Sequence, residues 1–588
     1  MIEWVAKRDG RVVPFNAEKI ADAIFAAAKA VGGEDRRQAE FLAGQVIHLL
    51  SQSLPDAGQP QVEHIQDLVE KVLIEHGHAR TAKAYILYRN RRTRIREQKS
   101  ELMDAVSEVL QESGADLLDV STPSSKLRRI ALAASEQYTL HSLLPREFAT
   151  AHQRGAMHID QMAEYSLSVA ACVVEPVALT RHGIRLGRTF LPPVKTLTEL
   201  VRMMGRVVLL AQNEMIGELL FRDVDQAVAS LAIVPEPAAI RSEVQQLLAD
   251  FDLARSIGGP RVMPVTVSVG LDRSAVGREL TEALLNAVQD GLPSGALVIS
   301  PQVLLQLSQE QWGDSLLPVA RRLARERGNP SLMLVGGQRS PVFASGLRLQ
   351  AGESAMLART FVNLPRIALE AVSSSDFWSG IDASLSLAVR QLVHRYEVLS
   401  ALPEWDLPLL LPGLVTAESA EEQGVKQVLQ ASQLSLVPVG LPEALQVAKL
   451  RFGSAIALEE EELAQLQLRI IEHWREHYAL RLTISQVASE TAARRFLDAD
   501  KQTFPLARTL WPELARYSPA APSTHFLGGQ FVSAELPDAA PPNVVFAADF
   551  AERHCPECGY PLTASACPRG CAVPPVGVLR GGGYLHSC

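Results

Sequence analysis

Pro264-Val-Thr-Val-Ser-Val-Gly-Leu-Asp272 is a run of β-branched residues closed by Gly270 and Asp272, and it predicts a buried strand. An amphipathic helix pattern follows over 277–290, then a second apolar run at Ala296–Ser300 (ALVIS). The pattern repeats with a helical stretch at Leu316–Arg327 and a third strand at Ser331–Val335. Strands separated by helices predict a largely parallel α/β sheet or barrel, because a parallel neighbour needs a crossover. Upstream, residues 125–255 are mainly helical in pattern. Downstream, about 515–547 is rich in Pro, Ala and Ser and reads as an irregular connector.

The N-terminus reads differently. Trp4-Val5 and Val12-Val13 flank Asp9-Gly10, a pair that tolerates the positive φ angles of a tight hairpin. Asn16 stands where a helix N-cap is wanted, before an apolar period through Ile20, Ile24 and Phe25 that Gly32-Gly33 ends. Further helices are expected at about 36–52, 61–76 and 79–97, so a small, mainly helical domain occupies residues 1–97.

A chain of 588 residues is expected to hold two or three domains. Hydrophobic residues at 47% and charged residues at 21% fit a globular protein rather than a disordered one. No apolar run is long enough for a membrane span, and MIEWVAKRDG has no signal-peptide core, so a cytoplasmic protein without a membrane partner is expected. The net charge of −9 argues against nucleic acid as a partner.

Two clusters suggest chemistry. Lys7-Arg8 sit beside the Asp9-Gly10 turn, and Lys19 lies on the first turn of the next helix. Cations gathered at a helix N-terminus suit phosphate oxygens, although a charged turn is by itself usually only solvated. Five of the six cysteines fall between Cys555 and Cys588, leaving Cys172 alone. Cys555-x-x-Cys558 and Cys567-x-x-x-Cys571 supply four thiolates in two close pairs, which fits a tetrahedral Zn²⁺ in a ribbon-like tail. Free cysteines are the plainer reading, and His554 is a further possible ligand.

Val5-x-Lys7-Arg8-Asp9-Gly10, Phe15-Asn16-x-x-Lys19-Ile20 and Ala82-x-Ala84-Tyr85-x-x-Tyr88-Arg89 together resemble the ATP-cone over about residues 3–97. The resemblance implies binding of ATP or dATP as an allosteric ligand. Lys7 and Arg8 would touch phosphates, Asn16 and Lys19 would line the pocket, and Arg89 would join them. The middle of the chain resembles the anaerobic (class III) ribonucleoside-triphosphate reductases. Its matching stretches are Leu144-Pro145 with Ala151-His152-x-x-Gly155-x-Met157-His158-Ile159-Asp160, then Ala211-Gln212-Asn213-Glu214-Met215, and Val362-Asn363-Leu364-Pro365-Arg366-Ile367-Ala368. Shorter similarities lie at Arg494-Arg495-Phe496 and Ser523-Thr524-His525. This resemblance implies a ten-stranded α/β barrel over 98–547, a tail over 548–588, nucleotide ligands and a homo-oligomer.

The same resemblance implies radical chemistry on two barrel cysteines. Cys172 falls where the substrate-facing redox cysteine belongs, although an isolated cysteine is more often a small buried hydrophobe. The thiyl-bearing cysteine of the family stands in a Gly-Cys-Arg loop tip; here the tip reads Ser345-Gly346-Leu347-Arg348, with leucine at the thiyl position. Arg580-Gly581-Gly582-Gly583-Tyr584-Leu585 is similar to the glycyl-radical segment, with Gly583 at the radical position and five residues after it. A Gly-rich tail is otherwise simply pliable. The expectation is a family member that keeps nucleotide binding and has lost reductase chemistry, with an intact reductase subunit as a partner. The alternatives are a working glycyl-radical reductase served by a radical-SAM activase, and a zinc and ATP-cone transcription regulator.

Overall fold

The computed structural model describes residues 4–6, 12–53, 60–111, 123–186, 189–214, 217–257, 263–292, 296–311, 313–337, 339–350, 352–353, 355–403, 429–453, 478, 480–487, 490–518, 530–533, 544–547, 551–554, 576–581 and 584–587. Two compact units emerge, Met1–Glu108 and Val109–Cys588.

In the first unit, strand β1 (Trp4–Ala6) pairs antiparallel with β2 (Val12–Pro14), with Val5 opposite Val13. Helices α1 (Glu18–Lys29), α2 (Arg36–Ser53), α3 (Val62–Glu75) and α4 (Ala79–Gln111) follow. The Asn16 side chain accepts from Glu18 N–H at 2.9 Å, which satisfies one unpaired donor at the start of α1. Ile20, Ile24, Leu42, Val46, Val69, Val72, Leu73 and Tyr85 form a core of this unit's own. Helix α4 runs past the expected end at 97, because the basic stretch after Tyr88 contains no Gly or Pro to stop it.

The second unit is built on one long sheet. In chain order the unit has β3 (Met157–Ile159), β4 (Ala171–Val174), a separate small hairpin of β5 (Ile184–Leu186) and β6 (Thr189–Leu191) outside the long sheet, then β7 (Glu218–Phe221), β8 (Val265–Val269), β9 (Gln302–Leu307) and β10 (Ser331–Leu334). They continue with β11 (Ala355–Asn363), β12 (Gln433–Val439), β13 (Arg481–Ile484), β14 (Gln530–Ser533) and β15 (Val544–Ala547). The sheet follows the path β13-β12-β11-β4-β7-β8-β9-β10-β15-β14, with β3 paired to β11. That path holds the ten strands expected. β4, β7, β8, β9 and β10 run parallel to one another, and β11, β12 and β13 run parallel in the opposite sense. β15 is antiparallel to β10 and carries β14 alongside. The ten-strand path is therefore two sets of five with opposed directions, and β3 lies antiparallel to β11 as an eleventh strand.

Two expectations need correction. Ala296–Ser300 forms no ladder, and the strand is Gln302–Leu307. Gln302 and Gln306 disguise it, yet both are buried; Gln302 Nε2 donates to Asn329 Oδ1 at 3.2 Å. The Pro-rich 515–547 segment is no mere connector, since it supplies β14 and β15 to the sheet edge. Beyond the sheet, the tail forms three antiparallel strands, β16 (Ala551–His554), β17 (Val576–Gly581) and β18 (Tyr584–Ser587).

Candidate functional site

The loop between β10 and β11 decides what the sheet can do. Residues 341–349 fold back on themselves: Phe343 N–H donates to Leu347 O at 2.8 Å and Leu349 N–H to Pro341 O at 3.0 Å. Ala344, Ser345 and Gly346 make a three-residue turn, in which Gly346 takes φ +85°, a value costly for any residue with a Cβ. Three bonds seat this loop. Ala344 N–H donates to Thr266 Oγ1 of β8 at 3.0 Å, Ser345 Oγ donates to Glu218 Oε2 of β7 at 2.5 Å, and Gln433 Nε2 of β12 donates to Arg348 O at 3.2 Å. β12 and β7 are three strand spacings apart, about 14 Å in a flat sheet. One short loop touches both, so the sheet curls around it and Leu347 is fully buried inside.

Glu218 anchors more than the loop. Its other oxygen, Oε1, accepts from Arg359 Nη1 of β11 at 2.6 Å, and Arg359 Nε donates to Asp160 Oδ2. Burial works against the charges of Asp160 and Arg359. Even so, Arg359 holds the Asp160 carboxyl below its ordinary range, and Asp160 and Glu218 hold the guanidinium above its own. The result is a buried chain Ser345–Glu218–Arg359–Asp160 across the inner face. Gly217 admits β7 to this position, because a Cβ there would lie 1.9 Å from Ala170 O.

The pairing register assigns faces. Residues opposite one another on adjacent strands share a side of the sheet, and alternate residues change sides. Ala171 lies opposite Glu218 and Met356, and Met356 opposite Gln433, so these four share the face that holds the loop. Cys172 lies opposite Leu219 and Ala355 and therefore takes the other face. That face meets the outer helices: Phe221, two residues after Leu219, stacks on Phe251 of the 237–257 helix with centroids 5.5 Å apart. The expected redox cysteine is a buried thiol on the helical side, away from the Ser345–Leu347 tip.

The motif stretches converge at the end of β11, where Asn363 lies opposite Val439 and Phe361 opposite His158. Asn363 Nδ2 donates to Gly155 O and to Asp500 Oδ2, both at 2.9 Å. Arg366 Nη1 reaches Asp500 Oδ1 at 3.2 Å, and Tyr517 OH donates to Asp500 Oδ2 at 2.7 Å. Burial pushes the Asp500 carboxyl up to about 6 in spite of these donors. His152 and His158 stack at 5.4 Å, and burial lowers them to about 3 and about 4, so both are neutral rings near neutral pH. Arg495 Nη2 donates to His152 O at 2.5 Å. Gln212 Nε2 donates to Ala254 O at 2.9 Å and ties two outer helices together. Sequence reasoning missed Glu218, Arg359 and Asp500. The available signal was a charged residue inside an otherwise apolar strand, as in Ala355–Asn363 (AMLARTFVN).

In the first unit, Asn16 and Lys19 line an open cavity of about 670 Å³ together with Val13, Pro14 and Phe15. Arg89 is engaged elsewhere: its Nη1 contacts Asp67 Oδ1 at 2.6 Å and Glu70 Oε1 at 2.7 Å, bracing α3 against α4. Lys7, Arg8, Cys555, Cys558, Cys567, Cys571 and Gly583 lie outside the described residues. Among the described residues no cluster of His, Cys, Asp or Glu is placed to hold a metal ion.

Residues 118–518 match the anaerobic ribonucleoside-triphosphate reductase family. The chain belongs to that family. Residues 4–94 match the ATP cone domain. The anaerobic ribonucleoside-triphosphate reductase of Salmonella typhimurium is 24% identical over 570 residues, covering 86% of this chain and 79% of its own length. That of Escherichia coli is 23% identical with the same coverage. The vitamin B12-dependent ribonucleoside-diphosphate reductase of Thermoplasma acidophilum is 47% identical over 108 residues, 18% of this chain and 13% of its own length. The anaerobic ribonucleotide reductase of Thermotoga maritima, crystallised with dATP in its specificity site, shares the fold at TM-score 0.61 and 14% identity, covering 84% of this chain and 98% of that one. The family's fold therefore accommodates a loop tip that carries leucine. No helix among the described residues is long and apolar enough to cross a membrane.

Proposed function

We propose that this protein is a nucleotide-responsive member of the anaerobic reductase family that no longer reduces ribonucleotides and acts beside an intact reductase. Its ATP-cone takes ATP or dATP through Lys7, Arg8, Asn16 and Lys19. One observation carries the loss of chemistry: the buried loop tip presents Leu347, and Cys172 faces the opposite side of the sheet. Hydrogen abstraction from a ribose works when the S–H bond formed is close in strength to the C–H bond broken. Leu347 offers only stronger aliphatic C–H bonds, and a cysteine among the outer helices cannot take its place. Anaerobic turnover of all four ribonucleotides, with a radical-SAM activase and formate or thiol reductants, tests this. Deoxynucleotide above the background of a Cys172→Ala chain overturns it.

Nucleotide binding has its own test. Charge-assisted phosphate contacts are each worth about 1.5–3 kcal/mol, so Lys7→Ala with Arg8→Ala weakens ATP at least tenfold in calorimetry. No binding by the unsubstituted chain, or no effect of the pair, refutes the assignment.

We also infer one Zn²⁺ on Cys555, Cys558, Cys567 and Cys571. Its support is the spacing, together with the pairing of His554 with Val576, which brings the two ends of the cysteine-bearing segment together. Metal analysis well below one zinc per chain rules it out. A glycyl radical at Gly583 is not part of this reading, since the loop tip has no cysteine to receive it.

A further inference from the structure

The cavity of about 670 Å³ at the start of α1 has a wall that changes character along the chain, from Val13, Pro14 and Phe15 through Asn16 to Glu18 and Lys19. The apolar end suits a base, and the Lys19 end suits phosphate oxygens. The residues between them are left for the sugar. Asn16 has its side-chain oxygen committed, because it accepts from Glu18 N–H at 2.9 Å. Glu18 is the one carboxylate on this wall among the described residues.

The Glu18 carboxylate is accessible and only loosely held. Its side chain is 74% exposed, and its one ion pair among the described residues, with Arg36 Nη2, spans 3.9 Å. That guanidinium is committed elsewhere, with Nη2 on Asp22 Oδ1 at 2.8 Å and Nε on Glu40 Oε1 at 3.2 Å. The first turn of α1 is a favourable place for a negative charge, because the helix dipole points its positive end there. The fold therefore keeps Glu18 charged at the cavity without a close protein partner.

Beside a triphosphate such a carboxylate is unfavourable unless it gains a donor. It repels phosphate oxygens and can only accept hydrogen bonds. A ribose supplies donors in its two neighbouring hydroxyls, and dinucleotide-binding folds use an acidic residue for the 2′-hydroxyl in the same way. We propose that Glu18 accepts from the ribose hydroxyls and makes this site select ATP over dATP. The inference rests on the reading of residues 1–97 as a nucleotide site and adds the residue that reads the sugar. Both nucleotides meet the same repulsion, and only ATP brings the 2′ donor that offsets it. Asn16 is a positioning residue in this scheme, since its cap bond holds the Glu18 backbone.

Calorimetry on the full chain with ATP and dATP tests the proposal, and binding that survives Lys7→Ala with Arg8→Ala sets the background from any other site. ATP is expected to bind about fivefold or more tighter than dATP, because a hydrogen bond to a charged group goes with the 2′-hydroxyl. In Glu18→Ala the preference should fall to about twofold or less, through weaker ATP and unchanged or tighter dATP. Glu18 is exposed, so the variant should melt with the unsubstituted chain, which separates lost recognition from lost fold. Equal binding of the two nucleotides, tighter dATP, or a preference that survives Glu18→Ala overturns the proposal and leaves the nucleotide site standing. Binding of neither nucleotide overturns the site and the proposal together.

Discussion

Ser345 Oγ bonds Glu218 Oε2 at 2.5 Å, so the tip of the inner loop hangs on a carboxylate that is itself held by Arg359. Loop, β7 and β11 are thereby one mechanical unit, although Ser345 and Glu218 stand 127 residues apart in the chain.

Breaking this unit should cost stability in a graded way. Ser345→Ala removes one hydrogen bond to a charged group and should cost about 1.5–3 kcal/mol. Glu218→Ala strands part of the buried Arg359 charge and should cost about 3–5 kcal/mol. Urea unfolding followed through the second unit gives both values. The double variant should cost clearly less than the sum, since the two residues share the bond. A strictly additive pair would mean that the loop does not depend on Glu218.

The face assignment of Cys172 predicts a failed cross-link. In a Leu347→Cys chain, oxidant should yield no bond between positions 347 and 172, because a disulfide needs Cα atoms within about 7 Å and side chains that point together. Peptide mapping by mass spectrometry reads this directly. A 172–347 disulfide formed in the native protein would show that Cys172 reaches the inner face.

Asp500 should give stability an unusual dependence on pH. Its folded value, about 6, lies above the ordinary 3.8, and burial is the main cause. Between about pH 4 and 6 the native state therefore holds a proton that the unfolded chain has released, and stability falls as pH rises through that window. The full swing is up to about 3 kcal/mol. In Asp500→Asn this contribution disappears, so the wild-type advantage over the variant should shrink from pH 4 to 6. An advantage that grows over that range refutes the shift.

Arg89 should prove structural rather than nucleotide-binding. Its guanidinium is committed to Asp67 and Glu70 on the neighbouring helix. Arg89→Ala should lower the melting temperature of the first unit, by a loss of about 1 kcal/mol, and change ATP affinity less than twofold. A tenfold loss of ATP binding with unchanged stability would return Arg89 to the pocket.

The sequence by itself determined the elements whose signals are local. Apolar periods placed α1 to α3 within a residue or two, a β-branched run placed β8 and a short apolar run placed β10, because helix and strand signals are written in neighbouring residues. It also supplied leucine at position 347 and the motif stretches that mark the family. Local signals failed where polar side chains are satisfied at a distance: the strand Gln302–Leu307 opens on a glutamine, Gln302, whose partners are Gly328, Asn329 and Ser331. Only the tertiary structure decided which face Cys172 takes, because a face depends on register with β7 and β11 rather than on spacing along the chain. It alone joined Arg359 to Glu218, 141 residues away. Charges pair inside a protein when folding removes water from both at once, and nothing in a linear pattern says which distant partner will be there when that happens.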